Sequence, residues 1–164
     1  MGAEVTAIDM SEKTINIAKN HAQKVQSKVN YINTSTEELL KLQPNSKFDV
    51  ITCLEMLEHV PKPSQTLKEC SELLNDKGDL FLSTINRNPR SYLFAIIGAE
   101  YILNLLPKGT HDYSKFIRPS ELSKWIRSTN LEVIETIGLS YNPLNETYWL
   151  GKDLGVNYLM HAKK

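Results

Sequence analysis

The sequence predicts an α/β fold built on a mostly parallel sheet, and three observations lead there. Short β-branched apolar runs alternate with segments of helical period ten to fifteen residues long, the pattern of strands joined by right-handed crossovers. The helical segments carry start and stop residues at the places a helix needs them. At 164 residues, 41% hydrophobic and 23% charged, the chain also has enough apolar material for one sizeable core.

Taken in order, residues 4–8 (EVTAI) are short, β-branched and apolar, and read as a strand. Residues 11–25 open on Ser11 as an N-cap and space Thr, Ile, Ile and Ala along one helical face. A second strand follows at 29–33 (VNYIN), a short capped helix at 36–42, and a buried third strand at 48–54 (FDVITCL). The helix at 63–74 is stopped by Asp76-Lys77-Gly78, and a fourth strand runs over 79–85 (DLFLSTI). A helix at 119–129 and strands at 131–138 and 156–162 complete the pattern. No repeat or linker divides the chain, so residues 1–164 are expected to form a single domain, with an apolar insertion near 87–118.

Charge narrows the functional classes. Lys+Arg 19 against Asp+Glu 19 leaves no global field to attract nucleic acid. The sum hides a gradient: residues 1–85 carry 9 basic and 12 acidic side chains (−3), residues 86–128 carry 7 and 3 (+4), and residues 129–164 carry 3 and 4 (−1). Cys53 and Cys70 lack any CxxC spacing and read as reduced thiols of a cytosol-like compartment. No signal-like N-terminus and no run of eighteen apolar residues is present, so a spanning segment is not expected.

In a parallel α/β sheet, ligands bind beyond the carboxyl ends of the strands. That rule directs attention to Asp9, to residues 33–36, 54–59 and 85–88. Asp9 ends the first strand, where a carboxylate accepts both hydroxyls of a ribose; helix capping is the competing use of an Asp there. Glu55 and Glu58 stand three apart with His59 beside them, a donor set suited to a divalent ion if the backbone turns into a helix. The alternative is solvated surface charge with His59 packed against Pro61. Residues 92–106 (YLFAIIGAEYILNLL) are the most apolar window, flanked by Arg87, Arg90 and Lys108. They fit either an interfacial helix or channel wall for a greasy substrate, or a buried core helix. His111 is a loop histidine beside Asp112, which would orient it as a general base. A nucleophile elbow, a phosphate loop and zinc spacings are all missing.

Together, the stretches VTAIDM, FDVITCLEMLEHVPKP, STINRNPRSYL, GAEYILNLLPKGTHDYSKFIRPSEL, LSYNPLNETYWLG and VNYLMHA resemble the class I S-adenosylmethionine methyltransferases. The EHVP block is shared broadly in that superfamily. GAEYIL followed by PKGTHD is more specific, and resembles the O-methyltransferases of ubiquinone biosynthesis over essentially the whole chain. The resemblance implies a Rossmann-like class I sheet, with Asp9 as the ribose-binding acid and Leu54 as a cofactor contact at a strand end. It also implies that Glu55, Glu58 and His59 hold magnesium, as in the mitochondrial relatives. The family's first strand and Gly-rich loop of the DVGCGGG type have no counterpart after Met1, so the sheet is expected to be incomplete at its N-terminus and the chain inactive alone.

The expected activity is methyl transfer from S-adenosylmethionine to a hydroxyl of a polyprenylated catechol or 3-demethylubiquinol intermediate. A divalent metal, Mg²⁺, would chelate the two oxygens. Expected partners are the polyprenylated substrate, a membrane surface met through residues 91–106 and other ubiquinone-biosynthesis proteins, with no nucleic acid. The expected location is the cytoplasm, peripheral on the inner membrane of a bacterium, or the matrix side of the mitochondrial inner membrane in a eukaryote. Two rivals stand: a non-catalytic lipid-binding or scaffolding piece of a quinone-biosynthesis assembly, and a nicotinamide-dependent dehydrogenase resting on Asp9 alone.

Overall fold

The computed structural model describes residues 2–93, 112–142 and 145–164, which pack as two compact units, Met1–Ser46 and Lys47–Lys164. In the first, strand β1 (Thr6–Asp9) pairs in parallel with β2 (Asn30–Asn33) from Thr6↔Asn30 to Asp9↔Asn33. A parallel pair needs a crossover, supplied by helix α1 (Glu12–Lys24), which buries Ile15 and Ala22. Ser11 caps it, accepting from Thr14 N at 3.2 Å. Helix α2 (Thr36–Leu42) opens with a capping box: Ser35 Oγ accepts from Glu38 N at 3.1 Å, and Glu38 Oε2 accepts from Ser35 N at 3.4 Å.

The second unit is a five-stranded sheet in the order β3-β4-β7-β5-β6. Its strands are β3 (Phe48–Leu54), β4 (Leu74–Ile85), β5 (Glu132–Asn142), β6 (Thr147–Gly151) and β7 (Asn157–Lys163). Strands β3 and β4 are parallel, and β7 is antiparallel to both β4 and β5, so β3, β4 and β5 point one way. Helices α3 (Pro63–Leu73), α4 (a single turn, Pro89–Ser91) and α5 (Pro119–Arg127) connect the strands.

Leu67 and Cys70 of α3 fall at helical spacing, as do Leu122 and Ile126 of α5, and they close over the sheet positions Cys53, Leu74, Leu80, Leu82, Tyr158, Met160 and Ala162. Strand β3 was expected to be buried throughout; it lies at one end of the sheet order, with only Cys53 buried and Val50 and Leu54 each 53% exposed. Gly138 faces the loop after β6, where an added Cβ would lie 1.8 Å from the Asp153 carbonyl oxygen. Gly138→Ala is therefore expected to cost about 1–3 kcal/mol through overpacking. A thermal melt checks this, and an unchanged Tm would contradict it.

Candidate functional site

Asp9 is the last residue of β1, and its backbone oxygen accepts from Asn33 Nδ2 at 2.8 Å and Thr34 N at 3.2 Å. Its Oδ1 accepts from Ser11 N at 2.7 Å, so the capping use of this Asp is real. That bond fixes the carboxylate. Its Oδ2 takes no partner among the described residues, the side chain is only half-buried, and the residue stands at the carboxyl end of a parallel strand. A fixed carboxylate with one oxygen unengaged fits a vicinal diol.

In the second unit, the segment after β3 divides where the spacing predicted convergence. Glu55 leaves the strand with φ +50°, in the left-handed region unusual for a residue with a Cβ. Ser83 holds it there: Glu55 N donates to Ser83 O and Oγ, both at 3.0 Å, and Glu55 Oε1 accepts from Ser83 Oγ at 2.7 Å. Asn157 Nδ2 donates to Glu55 Oε2 at 3.3 Å. The chain then enters a 3-10 turn, Leu57–His59, that buries Glu58, whose Oε2 accepts from Thr84 Oγ1 at 2.8 Å. Consecutive strand residues project to opposite faces, and Ser83 and Thr84 are consecutive on β4. Asn157, opposite Ile85, shares the Ser83 face.

Glu55 and Glu58 are thus anchored on opposite faces, and His59 is exposed. No group of three or more His, Cys, Asp or Glu among the described residues is arranged to hold a metal ion. Among the described residues, Glu55, Glu58 and His59 are not brought together as the expected joint magnesium site: the backbone makes a left-handed step and a 3-10 turn where convergence needed a helix.

Burial and the nearby carboxylates Glu121, Glu58 and Glu55 push the Tyr158 hydroxyl upward. Burial, then Glu58, pushes the Cys53 thiol up to about 12. Leu54, expected at the cofactor, is exposed at the end of β3. His111 and residues 94–106 lie outside the described residues. Asp112, beside His111, caps the turn Tyr113–Lys115, its Oδ1 accepting from Ser114 N at 3.0 Å and Ser114 Oγ at 2.7 Å. Those bonds hold its carboxyl below the usual range.

Sequence reasoning missed Ser83, Thr84 and Asn157, and the asparagines after β4. Asn86 Nδ2 donates to Leu154 O at 2.8 Å, Asn88 Nδ2 to Gly155 O at 3.0 Å, and Arg90 pairs with Asp153 at 2.8 Å. Residues 85–88 were legible as a strand end; their partners, more than sixty residues on, were not.

Comparison with known proteins bears on the whole chain. The family described as "Methyltransferase domain" matches residues 1–136. The ubiquinone biosynthesis O-methyltransferase of Dechloromonas aromatica (strain RCB) is 57% identical over 161 residues, 98% of this chain and 69% of the relative. That of Saccharophagus degradans is 55% identical over 164 residues, again 69% of the relative's length. Among solved structures, magnesium protoporphyrin IX methyltransferase from Synechocystis PCC 6803 with bound SAH matches with TM-score 0.69, 18% identity, and 99% and 65% coverage. This likeness confirms the class I methyltransferase fold. With more than half its residues identical to these enzymes along nearly its whole length, the chain belongs to the ubiquinone biosynthesis O-methyltransferase family.

Proposed function

We propose that this chain belongs to an enzyme of O-methylation in ubiquinone biosynthesis, which moves a methyl group from S-adenosylmethionine to a phenolic hydroxyl of a polyprenylated catechol or quinol. The observation that carries the reading is Asp9, a fixed carboxylate at a parallel strand end with Oδ2 unengaged, in a chain of this family. When bound, S-adenosylmethionine supplies an electrophilic methyl on a sulfonium, which requires no covalent enzyme intermediate. Asp9 accepts the ribose hydroxyls, and Leu54 offers apolar surface at the end of β3. His111 is our candidate for the base that takes the hydroxyl proton as the oxygen attacks. No step is assigned to a metal, because the acidic motif does not converge.

Residues 91–106, with Arg87 and Arg90 on their N-terminal side, would meet an anionic membrane and admit the polyprenyl tail. Methyl-labelled S-adenosylmethionine incubated with a polyprenylated catechol tests the reaction. Label is expected in a lipid-soluble methyl ether in the presence of EDTA. Label absent from every catechol would overturn the activity, and strict dependence on an added divalent ion would overturn the metal-free reading.

A further inference from the structure

Strand β6, Thr147–Gly151 (TYWLG), ends the five-stranded sheet, and its pairing with β5 leaves the other edge of its backbone unpaired among the described residues. Exposed edges of soluble proteins are usually blunted by an interior Lys, a Pro or a bulge. This strand has none of the three, and Tyr148, Trp149 and Leu150 are 68%, 51% and 58% exposed. Register places Tyr148 opposite Tyr141 and Leu150 opposite Leu139 on one face, with Trp149 opposite Ser140 on the other. Tyr148 and Tyr141 already meet, their rings tilted by 31° with centroids 4.5 Å apart.

The flanks carry opposite charges. Glu146 precedes the strand and Lys152 follows it; both are exposed, and neither forms an ion pair with another described residue. An antiparallel pairing of two β6 strands about a two-fold axis at Trp149 sets Tyr148 against Leu150, Thr147 against Gly151 and Glu146 against Lys152, each twice. Every apolar residue then meets an apolar residue and every charge meets its opposite.

We propose that β6 is a self-complementary docking edge whose occupant is a second copy of this chain, joining two five-stranded sheets into one. A bilayer is the weaker match, because the apolar side chains lie on both faces of the strand and the flanking charges have no basic excess. Five paired residues bury less than a standard interface, so the dimer should be weak, with a dissociation constant on the order of 10 µM.

Sedimentation velocity on the wild-type chain and three variants tests this, with thermal melts confirming that the variants fold. Wild type should pass from monomer to dimer with rising concentration. Lys152→Glu and Glu146→Lys should each weaken the dimer by about tenfold or more, since each sets like charges opposite one another twice. The double variant Glu146→Lys, Lys152→Glu should return to near wild-type assembly. Three results overturn the proposal. The first is a wild type that stays monomeric to about 10⁻⁴ M. The second is a dimer indifferent to both single changes, which lies elsewhere on the molecule. The third is a monomer that sediments with phosphatidylglycerol vesicles and loses that binding in Trp149→Ser, which makes the strand lipid-facing.

Discussion

Replacing Tyr158 by Ala is expected to cost about 3–5 kcal/mol of stability, the range for deleting a large buried aromatic ring. Tyr158 is fully buried in β7, the strand both β4 and β5 pair with, and belongs to the core under α3 and α5. Its hydroxyl donates to the Ile117 carbonyl at 2.9 Å, tying β7 to the residue two before α5. The Ala variant loses both the ring volume and this bond, and leaves a buried carbonyl unsatisfied. Tyr158→Phe keeps the ring and should cost only about 1–3 kcal/mol. Urea unfolding of the pair separates packing from hydrogen bonding. Equal losses in the two variants would mean that the ring contributes nothing.

The thiols give the second large effect. Cys53 and Cys70 are free and buried, and burial raises both: Cys53 to about 12, with Glu58 adding to the shift, and Cys70 further still, with Cys53 and Glu69 adding. At pH 8 the thiolate fraction of Cys53 is about a thousandfold below that of an ordinary thiol, and thiolate is the form that alkylates. Iodoacetamide should label the native protein about a thousandfold more slowly than the urea-unfolded chain. Prompt labelling at native pH 8 would contradict this burial. Because the folded-state value is raised, the stability contributed by each neutral buried thiol is complete below about pH 9 and is lost as pH climbs toward 12. Cys53→Ala should soften that alkaline decline.

The elements most legible in the sequence were those whose signals are local. Ser11 announced α1, the Thr-Glu-Glu start at Thr36 announced α2 although its cap is Ser35, and the FDVITCL run marked β3 to its last residue. Asp9 was legible because a strand end is defined by the strand itself. The reversal of β7 and its place between β4 and β5 depend on pairings such as Leu80↔Ala162, more than eighty residues apart, and no local period carries them. Strand β6 escaped for another reason: an edge strand exposed on both faces has no burial pattern to imprint alternation on TYWLG. The three-residue spacing of the acidic motif brings its carboxylates together only on a helix. The left-handed Glu55 and the turn at Leu57–His59 send the carboxylates to opposite faces, and the anchors that do so, Ser83 and Thr84, lie elsewhere in the chain.

Binding of S-adenosylmethionine by Asp9 is the central claim, and calorimetric titration of the cofactor into wild-type protein and Asp9→Ala tests it most directly. Loss of charge-assisted bonds to the ribose should weaken affinity by about tenfold to a hundredfold. The lost bond to Ser11 N should lower stability by only about 1 kcal/mol, so a melt shows the variant folded. Cofactor affinity unchanged in a folded Asp9→Ala protein would contradict the assignment.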